Sequence, residues 1–439
     1  MSSSQSRRVV ISGIGVVSPL GNSKEELWKG LASGQSGVRA IEALQDSPGD
    51  VRFGAAAQDF TGHIDNFGEL PKDQKKMIRK GLKMMCRETM MGVAAAQKAL
   101  QDADLQIGSY DSERTGCVFG SDYMLTMPED FVSGAQKCAD DSGGFDYQMW
   151  GGEGLPLVNP LWLLLYLPNM PASHVAIYND LRGTSNSLTQ REAASNLAVG
   201  EAARIIARGT SDVMVAGATG TRLHPMNMLH AISQEEVAGN GVLPEQASRP
   251  FDRDRSGMAL GEGAGVVILE ELEAAQARSA TIYGEVLGAG SSSVTKAPSV
   301  ADRRQAITNA LRAALDDADL ASSEIGHIHA HGLSTRAADA EEAAALVEVF
   351  GPRDQQPPIV AAKSHFGNLG SGSGMVELAG SLMALQNGQL FPVLNYATPD
   401  DNCPLRVVTT AETTAGESFV SVNVTPQGQA SAVVVGRVS

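Results

Sequence analysis

Three histidines have a spacing that could do metal chemistry. His327, His329 and His331 alternate along a predicted strand, which would place their imidazole rings on one face of a sheet. A metal centre needs further ligands, but no carboxylate or cysteine is spaced to complete one, and the strand is predicted to end at Gly332. We therefore expect no metal here.

The cysteines give no sign of a disulfide framework or a zinc ribbon. Cys86, Cys117, Cys138 and Cys403 include no C-x-x-C pair and are few for 439 residues. This usage fits a reducing, cytoplasmic location. We expect Cys86, Cys117 and Cys403 to be small buried or surface thiols without a catalytic role, while Cys138 falls in an irregular segment.

Gly13 and Gly15 form part of a weak dinucleotide-binding pattern. They interrupt the β-branched run from Val9 to Val17, which predicts a strand buried on both faces. A third glycine and a downstream acid at the spacing of the dinucleotide motif are not convincing. Close packing against the strand is the better interpretation of both glycines.

The elements that must position functional residues alternate as strands and helices in two similar halves. The halves span residues 1–275 and 276–439, with an insertion at about 122–180 that we expect to serve a dimer contact and a pocket. Apolar spacing predicts one helix from Ile78 to Leu100. This repetition predicts a duplicated α/β architecture with mostly parallel sheets.

The composition excludes some functions. The net charge is −16 and the pI about 5, so nucleic acid would be repelled, and an acidic carrier protein could dock only on a local basic patch. The N-terminus lacks the apolar core of a secretory signal. Three prolines interrupt the most apolar stretch, Leu155 to Met170, so we expect it to pack in the core or on a dimer surface and not to span a membrane.

Four longer blocks resemble motifs of the β-ketoacyl-acyl-carrier-protein synthases. They follow one another in the family's order, within a likeness that runs from residue 8 to beyond residue 400. Residues 181–202 are similar to the nucleophile turn, residues 249–265 to R-P-F-D-x-x-R-x-G…G-E-G-A-G, residues 330–335 to A-H-G-T-x-T and residues 363–368 to K-S-x-x-G-H. Four such matches make the resemblance specific, and it is to the elongation-type, synthase II-like branch.

The resemblance implies a fold and a way of presenting substrates. The fold would be thiolase-like, an α-β-α-β-α layered sandwich of two duplicated halves, usually as an obligate dimer. Substrates would be thioesters on the phosphopantetheine arm of an acyl carrier protein, with no cofactor bound to the chain itself.

The same resemblance assigns a reaction centre and shows where the chain departs from the family. The family's nucleophilic cysteine corresponds to Glu192, its first histidine to His331, its lysine to Lys363 and its second histidine to Asn368. In the family the thiolate accepts the acyl chain, and the two histidines promote malonyl decarboxylation and stabilise the enolate. Ordinary condensation is therefore not expected without the cysteine.

Two loops that meet the substrate in the family are also altered. Leu333 stands where the A-H-G-T-x-T loop has a hydroxyl-bearing residue, while Thr335 is kept. The family's G-F-G-F-G-G-T-N loop, which supplies a gatekeeping phenylalanine and an oxyanion donor, corresponds to residues 423–430 and contains Thr425 and Pro426. We expect these four residues at substrate-binding positions. Because proline has no N–H and most of the glycines are lost, the second loop departs from the family in both the donor and the gate.

Glu192 has three interpretations. At a helix N-terminus its carboxylate would be stabilised as the anion, and it could simply cap the helix and fill the former pocket. It could instead act beside His331 and Asn368 as an acid or base, or mimic an acylated nucleophile, so that a malonyl thioester is decarboxylated without condensation. Covalent acylation of Glu192 would give a reactive anhydride.

These residues predict a protein of fatty-acid or polyketide-type biosynthesis that works with acyl carrier protein. We favour a chain-length-factor-like subunit without a nucleophile, paired with a cysteine-containing synthase, and a homodimer is the other arrangement. The alternative is a malonyl-carrier-protein decarboxylase or atypical condensing enzyme that uses Glu192, His331 and Lys363. An acyl-chain-binding regulator is a third hypothesis.

Overall fold

The computed structural model describes residues 7–42, 51–239 and 241–438. The strands are β1 (Val9–Val17), β2 (Arg39–Ala40), β3 (Phe53–Gly54), β4 (Thr115–Ser121), β5 (Ser185–Thr189), β6 (Val213–Thr221), β7 (Glu262–Glu271), β8 (Gly284–Ser293), β9 (Thr295–Ala297), β10 (Val300–Ala301), β11 (His327–His329), β12 (Ile359–Val360), β13 (Ser418–Val424) and β14 (Gln429–Gly436). The helices are α1 (Lys24–Ala32), α2 (Lys72–Gly81), α3 (Arg87–Asp102), α4 (Glu129–Lys137), α5 (Tyr147–Met149), α6 (Trp162–Leu165), α7 (Met170–Asn179), α8 (Ala194–Ala207), α9 (Pro225–Gln234), α10 (Leu272–Ala277), α11 (Arg303–Asp317), α12 (Arg336–Phe350), α13 (Lys363–Phe366) and α14 (Ser373–Asn387).

Two similar sheets meet at β1 and β8. The strand order is β5-β4-β6-β7-β1 on one side and β8-β14-β13-β11-β12 on the other. The junction is short, because only Val10 with Glu285 and Ile11 with Gly284 pair across it. Each strand of the first sheet thus has a counterpart in the second, as expected of two duplicated halves.

The prediction of mostly parallel sheets is wrong. β4 runs parallel to β5 and β6, and β11 runs parallel to β12 and β13. However, β7 is antiparallel to β1 and β6, and β14 is antiparallel to β8 and β13. Helices cover both faces of each sheet, so the antiparallel strands are also continuous apolar runs, and the sequence pattern does not reveal their direction.

Helices form three layers around the two sheets. α8 and α14 lie between the sheets and contact strands of both, and α3 and α7 cover the first sheet. α11 covers the second sheet, and α12 packs beside α11 in the same apolar cluster. The central core joins Val199 of α8 and Leu378 of α14 to Val267 and Phe419 of the two sheets. The predicted α-β-α-β-α sandwich is confirmed.

The backbone of α3 approaches β1 closely at two glycines. A Cβ on Gly15 would lie 1.9 Å from the carbonyl oxygen of Ala95, and one on Gly13 would lie 2.4 Å from that of Ala99. No larger side chain fits such a contact. Helix packing therefore explains both glycines, as the sequence indicated.

The single helix predicted from Ile78 to Leu100 is two helices. α2 ends at Gly81 and α3 begins at Arg87, with a 3₁₀ turn between them. The apolar spacing continues through the break because Met85, between the helices, is 2% exposed and packs in the same core. Periodicity alone could not separate the two helices.

Most of the apolar stretch from Leu155 to Met170 lies at the surface, although Val158 within it is 4% exposed. Leu157 is 54% exposed and Leu163 51%. Nowhere in the described parts of the chain is there a helix with the length and apolar content to cross a membrane.

Candidate reaction centre

Four residues that the sequence assigned to the reaction centre lie in the interior of the fold. Glu192 belongs to a 3₁₀ turn that leads into α8, and His331 follows the end of β11. Lys363 begins α13, just after β12, and Asn368 lies between α13 and α14. Each of the four is at most 2% exposed.

Glu192 accepts two hydrogen bonds through Oε1. Arg222 Nη2 donates at 2.5 Å and Asn368 Nδ2 donates at 3.2 Å. The Nε of Arg191 lies 3.4 Å from the other carboxylate oxygen, Oε2. The structure therefore brings Glu192 and Asn368 together, and it adds two arginines that the sequence had not assigned to the site.

Further buried charges surround this contact. Arg222 Nη1 lies 3.0 Å from Asp122 Oδ2, and Arg191 Nη2 lies 3.5 Å from Glu235 Oε1. Burial alone would raise the pKa of Glu192, but Arg222 and Arg191 outweigh burial and hold it well below its ordinary value. Glu192 is therefore an anion. A general base needs a pKa near neutrality, so Glu192 is poorly suited to that role.

The backbone of Arg191 is strained. Its φ is +49°, in the left-handed region, which costs a residue with a Cβ roughly 1 kcal/mol or more. The Arg191 guanidinium offsets this cost with contacts to Glu192 and Glu235 and with a 2.7 Å hydrogen bond to Gln234 Oε1. The turn leaves the Glu192 side chain 1% exposed at the start of α8.

His331 is held by Lys363. Lys363 Nζ donates to the His331 carbonyl at 2.8 Å and lies 3.2 Å from Nδ1, and Asn423 Nδ2 lies 3.4 Å from the same nitrogen. Since only donors face Nδ1, the ring carries its proton on Nε2. Burial, reinforced by the charge of Lys363, lowers the pKa of His331 well below its ordinary value. His331 is thus a neutral imidazole that can donate Nε2–H to an oxygen.

Glu377 balances the charge of Lys363. Lys363 Nζ donates to Glu377 Oε1, and Asn423 Nδ2 donates to Oε2 at 2.8 Å. Both Lys363 and Glu377 are completely buried. The ion pair fixes the ammonium group against His331, and so the lysine positions the imidazole.

The loop after His331 is fixed by two buried carboxylates. Glu342 accepts from the backbone N–H groups of His331 and Gly332, at 2.6 and 2.8 Å. Asp339 accepts from the N–H groups of Leu333 and Thr335, at 3.0 and 3.3 Å.

Leu333 and Thr335 are both buried, but their surroundings differ. Leu333 packs in an apolar cluster with Met258 and Leu260. Thr335 is 4% exposed, and its carbonyl accepts from Arg255 Nε at 3.0 Å.

Thr425 and Pro426 belong to the tight turn between β13 and β14. The Gly428 N–H donates to the Thr425 carbonyl at 3.0 Å, and Gly428 has φ +80°. Thr425 is buried and its Oγ1 accepts from the Gln429 N–H. Gln427, the residue after Pro426, receives a hydrogen bond of 3.4 Å from Arg191. The turn therefore contacts the charged cluster through Gln427.

The alternating histidines have a structural explanation. Ala362 N–H donates to His329 Nε2, so His329 Nδ1 carries the proton that Ser381 Oγ accepts at 2.7 Å. Ser381 Oγ–H then donates to His327 Nε2 at 3.1 Å, and His327 Nδ1–H donates to the Ala415 carbonyl. Across the described residues no cluster of ligands suited to a metal ion occurs.

The cysteines offer no substitute nucleophile at the surface. Cys86, Cys117, Cys138 and Cys403 are buried and unpaired with one another. Burial raises the pKa of Cys117 and of Cys403 to about 12, which leaves little thiolate at neutral pH.

The sequence prediction did not assign Arg191, Arg222, Asp122, Glu377 or Asn423 to the site. Arg222 comes directly after the buried strand β6, and Glu377 lies within the apolar helix α14. Charged groups are seldom buried without a partner, so each position was a signal of an internal ion pair.

Comparison with known proteins identifies the family of the chain. The family described as "Beta-ketoacyl synthase, N-terminal domain" matches residues 6–275, and "Beta-ketoacyl synthase, C-terminal domain" matches residues 283–397. The 3-oxoacyl-[acyl-carrier-protein] synthase 2 of Synechocystis sp. is 32% identical over 413 residues, which cover 93% of this chain and 92% of that protein.

Two solved structures share the whole fold. The ishigamide ketosynthase/chain length factor superposes with a TM-score of 0.82 at 27% identity, over 99% of this chain and 100% of that one. A β-ketoacyl synthase from Burkholderia phymatum STM815 gives a TM-score of 0.85 at 27% identity, with the same coverage. With both halves of the chain matched in sequence and structure, this protein belongs to the β-ketoacyl synthase family.

Proposed function

We propose that this chain is a non-condensing, chain-length-factor-like subunit of a β-ketoacyl-acyl-carrier-protein synthase, acting in fatty-acid or polyketide-type biosynthesis. The observation that carries the proposal is the buried ion pair between Glu192 and Arg222, 2.5 Å from Oε1 to Nη2. Glu192 stands where the resemblance puts the family's nucleophilic cysteine. A carboxylate committed to arginine is a poor acceptor of an acyl chain, and its acyl product would be a reactive anhydride.

A malonyl-carrier-protein decarboxylase is the second candidate, and the arrangement of His331 and Lys363 favours it. When the malonyl carboxylate leaves as CO₂, its electron pair forms an enolate, and the neutral His331 Nε2–H could donate to the enolate oxygen. Asn368 Nδ2, at the position of the family's second histidine, instead donates to Glu192. An atypical condensing enzyme would also need Glu192 free of its arginines, so the non-condensing subunit is the better proposal.

The exposed edge of the first sheet supports a second subunit. β5 ends the sheet and pairs only with β4 among the described strands. α7 packs on β5 and exposes Ile177 to 63%. Unpaired edges and apolar surfaces are usually covered in folded proteins. We propose that a cysteine-containing synthase covers this edge, and a second copy of the chain is the alternative occupant.

Helix α2 supports docking of an acidic acyl carrier protein, on whose phosphopantetheine the substrate would arrive. Lys72, Lys76, Arg79 and Lys80 are exposed on α2 and make no ion pair with the described residues, in a chain whose net charge is −16. Such a local basic patch attracts an acidic partner. Arg79→Glu should weaken carrier binding, and the remaining binding should depend less on salt concentration. Arg312→Glu, on the acid-paired α11, is the control.

The central experiment separates the two candidate functions. The purified chain would be incubated with malonyl-carrier protein, and the carrier would be followed by intact-mass spectrometry. The chain would also be co-expressed with a cysteine-containing β-ketoacyl synthase from the same organism. We expect no acetyl-carrier protein from the chain alone, and a stable complex that condenses through the partner's cysteine. Acetyl-carrier formation by the chain alone that His331→Ala abolishes would refute the proposal in favour of the decarboxylase.

A further inference from the structure

A chamber of about 510 Å³ adjoins the segment that carries Arg222. It is lined by Thr221 and Leu223, the two neighbours of Arg222 in the chain. The Arg222 guanidinium instead contacts Glu192 and Asp122, and none of these three residues lines the chamber. The chamber is therefore separate from the charged cluster around Glu192.

Glu88 brings a buried carboxyl to this chamber. The residue lies in the first turn of α3, lines the chamber and is 6% exposed. Its carboxyl contacts its own backbone N–H and the Cys86 thiol, which is a weak donor. No N–H or O–H group of another described residue donates to the carboxyl, and both of its oxygens retain accessible surface. A buried carboxyl in this state is costly, so a positive group is expected opposite it.

The arginine of the chamber wall is already paired. Arg87 forms a bidentate ion pair with Glu262 at 2.6 and 2.8 Å, and it donates further hydrogen bonds to the carbonyls of Ala57 and Phe60. Burial raises the pKa of Glu88, and the charges of Glu262 and Asp122 raise it further. The fold thus provides Glu88 with no cation of its own.

Helix α4 adds negative charge at the same chamber. Glu129 and Asp130 lie in its first turn, and Tyr166, which lines the chamber, donates its hydroxyl to Asp130 Oδ2 at 2.6 Å. Lys137 is the only basic residue of α4, and it pairs with Glu153 instead. Carboxylates without a cation partner attract positive ligands to a cleft.

The remaining walls suit a cation that carries apolar groups. Met127, Leu223 and Pro225 contribute apolar surface, and the ring of Tyr166 offers a face to which cations are attracted. The chamber volume falls within the range of roughly 300 to 1,000 Å³ that small-molecule sites occupy. Apolar walls with one convergent charged group are typical of a site that orients its ligand by that group.

We propose that this chamber binds a primary amine with a hydrocarbon body, whose ammonium group pairs with the carboxylate of Glu88. The ammonium supplies the positive charge that the fold lacks at this position, and the carboxyl binds it as the anion after releasing its proton to solvent. An acyl thioester carries no cation and a fatty acid carries the opposite charge, so neither meets the requirement. The inference does not depend on the function proposed above.

Isothermal titration calorimetry with octylammonium, 1-octanol and octanoate tests the site. We expect octylammonium to bind at least tenfold more tightly than the alcohol or the acid. Glu88→Gln keeps the shape of the side chain and removes its charge, so it should weaken octylammonium binding at least tenfold. Glu245→Gln, which makes the same change at an exposed residue outside the chamber, should leave the affinity unchanged.

The Glu88→Gln protein should fold, because burial already favours the uncharged acid at this position. A second variant tests the chamber without changing Glu88. Ala56 lines the chamber and is half-buried, so Ala56→Phe should fill it and abolish octylammonium binding. No binding of octylammonium by the unmodified chain would overturn the proposal. Equal affinity for 1-octanol, or an affinity for octylammonium that either variant leaves unchanged, would overturn it as well.

Discussion

Arg222 Nη2 and Glu192 Oε1 lie 2.5 Å apart, and each of the two side chains is 1% exposed. Removing two charges from water is costly, and only their mutual attraction and hydrogen bonding offset the cost. The two residues are therefore energetically coupled, and the effect of changing one on the free energy of unfolding should depend on the other.

Arg222→Met should lower the free energy of unfolding by about 3 to 5 kcal/mol, because it leaves Glu192 and Asp122 buried without their partner. The double variant Arg222→Met with Glu192→Gln should recover part of that loss, since only Asp122 then remains unpaired. Urea denaturation of the unmodified chain, Arg222→Met, Glu192→Gln and the double variant measures the coupling between the two side chains. Arg182→Met, at the exposed pair with Asp180, is the control and should cost less than about 1 kcal/mol. Strictly additive losses at Glu192 and Arg222 would contradict the account.

Glu192→Cys should create a thiol with a lowered pKa. The new side chain would lie at the start of α8 beside Arg222 and Arg191, and both positive charge and a helix N-terminus favour thiolate. We expect methyl methanethiosulfonate to modify Cys at position 192 at neutral pH before it modifies the native thiols Cys117 and Cys403.

The rate of that modification should rise with pH at a lower midpoint than for an ordinary thiol, and adding Arg222→Met should move the midpoint upward. Peptide mass spectrometry over a pH series gives both midpoints. A midpoint that Arg222→Met leaves in place would show that the arginine does not control the charge at this position.

Much of the fold could be predicted from the sequence because buried strands and helices leave strong local patterns. Local sequence alone is enough to recognise the strand from Val9 to Val17 and the helix that stops just before Gly209. Strand direction was not predictable, since β7 and β14 are covered on both faces and carry the same apolar signature as parallel strands.

The candidate reaction centre was only partly predictable, for a different reason. His331 and Lys363 sit in continuous motifs, whereas Arg222 lies 30 residues from Glu192 and reaches it from another element. Glu377 likewise reaches Lys363 from α14. A pairing of this kind depends on tertiary structure, and the sequence offers only the hint of a charge within an apolar region.

Glu235 should make stability depend on pH. Burial, followed by the charge of Glu192, raises the pKa of Glu235 to about 7, above its ordinary 4.5. A carboxyl whose pKa is raised by folding stabilises the protein fully below pH 4.5, and that stabilisation is lost as the pH rises through about 7. Relative to the unmodified chain, Glu235→Gln should therefore gain about 2 to 3 kcal/mol between pH 4.5 and 8.

Urea midpoints of both proteins at pH 5, 6, 7 and 8 measure this difference, because other titrating groups are common to the two. Glu236→Gln, the change at the adjacent residue, is the matched control and should follow the unmodified chain. A difference between Glu235→Gln and the unmodified chain that stays constant across the series would rule out titration of Glu235 in this range.

Ser381 links His327 to His329, and its loss should destabilise the core of the second half. The hydroxyl accepts from His329 Nδ1 and donates to His327 Nε2, and all three residues are completely buried. Ser381→Ala leaves one buried donor and one buried acceptor unpaired, so the free energy of unfolding should fall by about 1 to 3 kcal/mol. Ser233→Ala, which removes an exposed hydroxyl, should change it by less than about 0.5 kcal/mol. Because burial lowers the pKa of both His327 and His329 and keeps the rings uncharged, the loss at Ser381 should be the same at pH 7 and pH 8. A loss no larger than that of Ser233→Ala would mean that the two imidazoles find other partners.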